Sequence, residues 1–280
     1  MGALDLLGGW DAPQARAAVI EGDGRGVRAI RGDGARRSRW ASVTKLVTAL
    51  AVLVAVEEET VDLDQPAGPP GSTVRHLLAH ASGLAFDGDI IVAKPGERRI
   101  YSNAGFEALA GAVSEATGMP FEDYAGEAVL EPLSMADTRF EAGGAAAGLV
   151  GPLDDLIRLA VELLAPTLLS TRSFREATTV AFSGLAGVMP GFGRRDRLDW
   201  GLGFELRDGK SPHWTGFRNS PATFGHFGAS GSFLWVDPAA GLACAVLSGR
   251  DFGPWAQDAW PALADAVLDE HAPSGRDPIR

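Results

Sequence analysis

The spacing of apolar residues changes character twice along this chain. Between Arg16 and Arg39 short apolar runs, Ala17-Ala18-Val19-Ile20 and Val27 to Ile30, are separated by Asp23-Gly24 and followed by Gly32-Asp33-Gly34. Asp-Gly between two such runs predicts a hairpin, because both residues accept the positive φ that a tight turn needs. From Ser42 to Glu58 the pattern turns helical, with apolar residues on nearly every face, which predicts a buried helix with Ser42 as its N-cap. The Pro- and Gly-rich stretch Gln65 to Gly71 ends it, and Ser72 or Thr73 can cap a short helix carrying Val74, Leu77 and Leu78. Helices are predicted at about Asn103 to Thr117, Phe121 to Leu130 and Leu153 to Leu164, parted by Gly118-Met119-Pro120 and the loop Gly143 to Gly151. After the Arg- and Gly-rich loop Gly191 to Arg197 the period returns to strands: Trp200 to Leu206, Gly231 to Val236 and Gly241 to Leu247, with Asp237-Pro238 turning between the last two. A helix from about Trp255 to Glu270 follows.

Strands at both ends with helices between predict an α+β fold, in which one antiparallel sheet is built from the two chain ends, flanked by helices, with a mainly helical region inserted. The expected division is a sheet subdomain of residues 1–40 and 198–280 and a helical one of residues 41–197, forming one unit with a cleft between them.

Composition narrows the function. The 280 residues carry 25 Lys+Arg against 36 Asp+Glu, a formal charge of -11, so nucleic acid and anionic membranes are poor partners. The longest apolar stretch, Leu46 to Val56, has 11 residues, well short of the roughly 18 to 20 that span a bilayer. No signal peptide is visible at the N-terminus, so the expectation is a soluble, cytoplasmic protein. Cys244, the single cysteine, sits in the apolar run Leu242 to Leu247 and reads as a small buried hydrophobe. Gly22, Gly24 and Gly26 lack the following helix of a dinucleotide site. His76 and His80 lie four apart on the short predicted helix, but no third ligand accompanies them, and neither metal nor cofactor is expected. Trp40, Trp214, Phe217, Phe224 and Phe227 read as core rather than as an acyl pocket.

Rare residues carry the candidate chemistry. Positive charge comes almost wholly from arginine, and the only lysines are Lys45, Lys94 and Lys210. Ser42-Val43-Thr44-Lys45 puts a hydroxyl at the start of a buried helix and an amine one turn on, on the same face. A serine hydroxyl needs a neighbouring base, and a lysine becomes one only where burial disfavours its ammonium form. Capping alone would also explain Ser42, but the 16 Ser and three Lys predict only about 0.17 chance occurrences of S-x-x-K. Tyr101-Ser102-Asn103 falls where a loop enters a helix, and two Tyr and two Asn make Y-x-N rarer still, at about 0.014.

Ser42-x-x-Lys45, Tyr101-Ser102-Asn103 and His226-Phe227-Gly228 resemble the three motifs of the penicillin-recognising serine hydrolases, the family of class C β-lactamases, D-alanyl-D-alanine carboxypeptidases and lactamase-like esterases. The resemblance runs in order through Leu77 to Leu84, Pro132 to Thr138, Trp200 to Phe204 and Val236-Asp237-Pro238, and covers about residues 17 to 270. It implies a β-lactamase/transpeptidase-like fold in which Ser42 forms an acyl-enzyme, Lys45 and Tyr101 move protons, and Asn103 holds Lys45 and the substrate. It further implies that His226 and Gly228 border the cleft, where lactamases usually carry Lys in place of His226. The N–H groups of Ser42 and Ala229 would form the oxyanion hole, and His80 would be structural. Departures are Ser134 in place of a usual glycine before Met135, and Leu247-Ser248-Gly249-Arg250 where many relatives have an Asn. A hydrolase of small esters or strained amides is the expected function. A β-lactamase or D-amino-acid peptidase is the alternative, and a non-catalytic ligand-binding relative a more distant one.

Overall fold

The two ends of the chain meet in one sheet. A computed structural model describes residues 2–22 and 26–272, and the predicted Asp23-Gly24 turn lies outside the described residues. A 3₁₀ turn at Ala3–Gly9 leads into β1 (Arg16–Glu21), β2 (Gly26–Arg31) and β3 (Ser38–Arg39). A second 3₁₀ turn, Ala41–Val43, opens α1 (Thr44–Glu57), followed by α2 (Val74–Leu78), α3 (Asn103–Thr117) and α4 (Phe121–Ala125). Then come β4 (Arg139–Phe140), α5 (Gly144–Ala147), β5 (Leu149–Gly151), α6 (Leu153–Leu164) and α7 (Thr171–Ala177). The chain closes with the hairpin β6 (Gly187–Met189) and β7 (Gly193–Arg195), the strands β8 (Glu205–Leu206), β9 (Phe224–Phe227), β10 (Ser232–Asp237) and β11 (Leu242–Leu247), and α8 (Pro254–His271).

The main sheet runs in the order β2-β1-β11-β10-β9-β8, antiparallel throughout, with Val19 opposite Cys244 and Cys244 opposite Trp235. Its middle strands are buried on both faces, which is why they read as continuous apolar runs instead of alternating ones. Ala18, Ile20, Leu234 and Ala245 pack into the core shared with α1 and α6. Val19, Trp235, Cys244 and Val246 pack with Trp260 and Val267 of α8 and Leu4 and Leu7 of the first turn. α1 is apolar all round because it runs through the interior, buried at every position from Thr44 to Leu53. Trp40, Trp214, Phe224 and Phe227 belong to these cores, whereas Phe217 stands 71% exposed. Among the described residues no helix is long and apolar enough to cross a membrane.

Several local expectations are corrected. Ser42 is not the N-cap of α1: it sits inside the preceding 3₁₀ turn, because Ala41 has a φ of 46° and redirects the chain there. Trp200 to Leu206 is not one strand. Gly203, at φ 88°, lies against α1 where an added Cβ would come within 2.1 Å of the Ala49 Cβ, and only Glu205–Leu206 pairs with β9. The N–H groups of Leu202 and Gly203 instead donate to the carbonyls of Ala177 and Leu78. His76 and His80 do not share a helix, since α2 stops at Leu78 and His80 turns away at φ 53°. No set of three His, Cys, Asp or Glu among the described residues fits a metal. Finally, π-helical geometry at Gly126–Leu130 interrupts the helix predicted through Leu130, and the loops around Gly143 to Gly151 and Gly191 to Arg197 contain short elements. At Ser134 the backbone has a φ of 56°, in the left-handed region that a glycine would adopt without strain.

Candidate active site

Ser42 stands between β3 and α1 in a segment tied down from several sides. The Trp40 N–H donates to the Leu149 carbonyl at 2.9 Å, and its indole Nε1 donates to the Gly151 carbonyl at 3.2 Å. The Ser232 hydroxyl donates to the Trp40 carbonyl at 2.6 Å, and the Ser230 hydroxyl to the Arg39 carbonyl at 2.8 Å. These bonds hold Ala41 in the left-handed region, which costs a residue with a side chain about 1 to 2 kcal/mol. Ser42 itself remains partly open to solvent.

Lys45 lies one helical turn further on, fully buried. Its Nζ donates to Asn103 Oδ1 at 2.7 Å and to the Ala146 carbonyl at 2.9 Å, and approaches Ser42 Oγ at 3.4 Å. Burial lowers its pKa to about 7, against the pull of the Glu107 and Asp87 carboxylates, which favour the ammonium form. Asn103 opens α3, whose N-cap is Ser102: the Ser102 hydroxyl accepts the Gly105 N–H at 2.9 Å and donates to the Ala85 carbonyl at 2.6 Å. The other end of the Asn103 amide donates to Asp87 Oδ1 at 3.2 Å.

Tyr101 enters the site one residue before that cap. Its ring packs on His80, with centroids 4.6 Å apart, and beside Trp200 and His226 at 5.9 and 5.7 Å. Its hydroxyl lies 3.5 Å from His226 Nε2. Burial pushes the phenol well above its ordinary pKa, and a hydrogen bond to Ser42 offsets only part of this. His226 on β9 is buried, and burial together with the nearby Lys45 charge lowers its pKa to about 3, so the imidazole is neutral. Its Nδ1–H donates to the Phe227 carbonyl at 2.7 Å, which leaves Nε2 as an acceptor facing Tyr101.

Gly228 and Ala229 begin the turn that docks on the Ser42 segment. A Cβ on Gly228 would sit 2.4 Å from the Trp40 carbonyl oxygen and 3.0 Å from the Ala41 Cβ, so only glycine permits this approach. The Phe252 N–H donates to the Ala229 carbonyl at 2.8 Å and fixes that peptide, while the exposed Ala229 N–H has no partner among the described residues. Ser42, Lys45, Tyr101, Asn103, His226, Gly228 and Ala229 thus gather at one junction between sheet and helices.

Other contributors were not singled out from sequence. The Ala146 carbonyl is a backbone group and leaves no trace in a motif. Glu107 Oε1 accepts the Ala146 N–H at 2.9 Å and so steadies that carbonyl; its place one turn after Asn103 on α3 was the available signal. Asp87 orients Asn103 from a loop and has no such periodicity. His80, by contrast, is expected from the sequence to be structural, and it anchors the start of α3 by accepting the Ser102 N–H on Nδ1 at 3.1 Å.

A sheet closed by both chain ends, with a hydroxyl, an amine and a phenol gathered where the helical insertion meets it, defines the β-lactamase/transpeptidase-like class of fold. Residues 15–268 match the family model described as Beta-lactamase, and the chain belongs to the β-lactamase family. A crystal structure of a β-lactamase from Mycobacterium bovis is 55% identical, superposes with a TM-score of 0.94, and covers 96% of this chain and 99% of its own. Penicillin-binding protein 4* of Bacillus subtilis is 31% identical over 132 residues, a match that spans 35% of this chain and only 29% of that protein. The LovD6 mutant of simvastatin synthase from Aspergillus terreus shares the fold with a TM-score of 0.77 at 18% identity, covering 95% of this chain and 93% of its own.

Proposed function

We propose that the protein is a serine hydrolase that cleaves small carboxylic esters or strained amides through an acyl-enzyme at Ser42. The observation that carries this reading is the Lys45 amine, near neutrality at a pKa of about 7, held by Asn103 and 3.4 Å from Ser42 Oγ. In the proposed reaction Ser42 Oγ attacks the carbonyl carbon while its proton passes to Nζ of neutral Lys45. The oxyanion forms against the N–H groups of Ser42 and Ala229. The bond to the leaving group then breaks, and the departing oxygen or nitrogen takes a proton relayed from Lys45 through the Tyr101 hydroxyl. Tyr101 acts as a relay and not as a standing base, since its raised pKa keeps it a phenol at neutral pH. Water, giving its proton to Lys45, attacks the acyl carbon, and Lys45 returns that proton to the departing Ser42 Oγ as the acid leaves, which restores both the serine hydroxyl and the neutral amine.

Esters are favoured over lactams by His226. Neutral and buried, it offers no fixed cation to a lactam carboxylate at the position where lactamases of the family usually carry Lys. Arg250, on the neighbouring segment, is engaged elsewhere, donating to the Trp10 carbonyl and lying 4.7 Å from the Trp255 ring centroid. The second reading, a β-lactamase or D-amino-acid peptidase, is favoured by the 55% identity to the M. bovis β-lactamase.

A fluorophosphonate tests the acyl-enzyme. Covalent labelling at Ser42 by intact mass, abolished by Ser42→Ala, is the expected result, and an unlabelled native chain removes the reading. Hydrolysis of p-nitrophenyl butyrate set against a chromogenic cephalosporin ranks the two readings, and faster lactam turnover puts the lactamase first.

A further inference from the structure

Beside Tyr101 the surface opens into a cavity of about 470 Å³, walled by Phe86, Val92 and Arg98 on one side and Val188 and Arg194 on the other. The two walls are fastened together, since the Arg99 N–H donates to the Ala186 carbonyl at 2.8 Å and Arg99 bridges to Gly187 of β6. The lining is unusually apolar for an open surface: Phe86 is 51% exposed, Val92 44% and Val188 61%, and Ile91 beside them 54%. Apolar side chains left in water in one concave patch mark a binding surface.

The charge in this cavity is opposite to that of the whole protein. The chain carries -11, yet no carboxylate is among the described residues lining the cavity, while three arginines are. Arg99 is buried and spends its guanidinium on the carbonyls of Leu198, Ala79, Ala181 and Phe182. Among the described residues Arg98 donates only to the Val92 carbonyl, at 2.7 Å, and Arg194 meets Asp196 at 4.0 Å with both side chains in solvent. Two guanidiniums at an apolar cavity thus keep donors free for a carboxylate, which a guanidinium binds through paired N–H groups.

We infer that this cavity is a specificity pocket for an apolar chain ending in a carboxylate, so that the preferred substrates are amphiphilic, anionic esters. The inference rests on the hydrolase reading above. The carboxylate can belong to the acyl part or to the alcohol part of the ester, and the test has an arm for each. In the first, mono-p-nitrophenyl suberate is compared with p-nitrophenyl octanoate; in the second, 8-acetoxyoctanoate with octyl acetate. A five- to tenfold higher kcat/KM for the carboxylate member is expected in one arm, about what a part-exposed charge-assisted contact supplies. That ratio collapses toward one in the Arg98→Gln/Arg194→Gln double variant, chiefly through KM, and shrinks with added NaCl. Both arginines are on the surface, so the variant keeps the fold. Equal rates within both arms, or a preference that survives the double variant, overturns the pocket assignment. If Ser42 labels with fluorophosphonate and p-nitrophenyl octanoate is cleaved, that failure belongs to the pocket alone. If Ser42 does not label, the hydrolase reading fails and this inference falls with it.

Discussion

Lys45 and Asn103, 58 residues apart in the chain, are joined by a 2.7 Å hydrogen bond from Nζ to Oδ1 that fixes the amine at the start of α3. The bond aims the amine at Ser42 while burial strips away the water that would keep it an ammonium. A proton acceptor in this setting has to be able to exist without charge.

Lys45→Arg conserves the charge and tests that requirement. A guanidinium cannot give up its proton at working pH, so kcat/KM for p-nitrophenyl butyrate is expected to fall by about 10²–10⁴-fold with the circular dichroism unchanged. Activity within a few-fold of native contradicts a lysine base.

The pH profile follows from the same group. Lys45 must be neutral to accept the Ser42 proton, so kcat/KM rises with pH and is half-maximal at about 7. The Glu107 carboxylate favours the ammonium form, and Glu107→Gln, which keeps an acceptor for the Ala146 N–H, moves the rising limb to lower pH. A limb that stays put or moves upward in that variant counts against Lys45 as the titrating group.

Gly228→Ala probes the approach of the turn to the nucleophile. The new methyl would meet the Trp40 carbonyl oxygen at 2.4 Å, so the turn must back away and carry the Ala229 N–H with it. Loss of one oxyanion donor lowers kcat by roughly 10²-fold and leaves KM little changed. Unaltered kcat places the oxyanion elsewhere.

Away from the site, Glu205 anchors a buried polar cluster. Its carboxylate accepts from Lys210 Nζ at 2.7 Å, and from His213 Nε2 and Trp214 Nε1, each at 2.9 Å. Burial alone would push this carboxyl up, but His213 and Lys210 outweigh it and hold the pKa at about 2. Its contribution to stability is therefore present above the ordinary glutamate range and drains away as pH falls toward about 2. Glu205→Ala strands a buried amine and is expected to cost about 3–5 kcal/mol in urea unfolding at pH 7. A loss below about 1 kcal/mol shows that water has replaced the carboxylate.

Sequence was most informative where chemistry or helical period is strict. The ends of α3 and α6 fall at the residues predicted, because Ser102 caps the first and a sharp amphipathic stripe bounds the second. The scarcity of lysine was also meaningful: two of the three, Lys45 and Lys210, are buried where a compact amino group has several acceptors. Illegible features depend on partners distant in sequence. The strands β3, β4 and β5 have two or three residues each, too few to show a period. Gly203 breaks its predicted strand because of Ala49, and Ala41 takes its left-handed turn because Leu149, Gly151 and Ser232 grip Trp40. Asp87 and the Ala146 carbonyl reach Asn103 and Lys45 only once the helices have packed.

The pairing of β1 with β11, Arg16 opposite Leu247, makes the order of synthesis matter. The residues read as nucleophile and base leave the ribosome well before the turn at Gly228 that frames them and the strand that completes the sheet behind it. At about 5–20 residues per second a nascent chain carries Ser42 for many seconds before that frame exists. On the proposed mechanism Ser42 is therefore born dormant, and completing the sheet is the event that arms it.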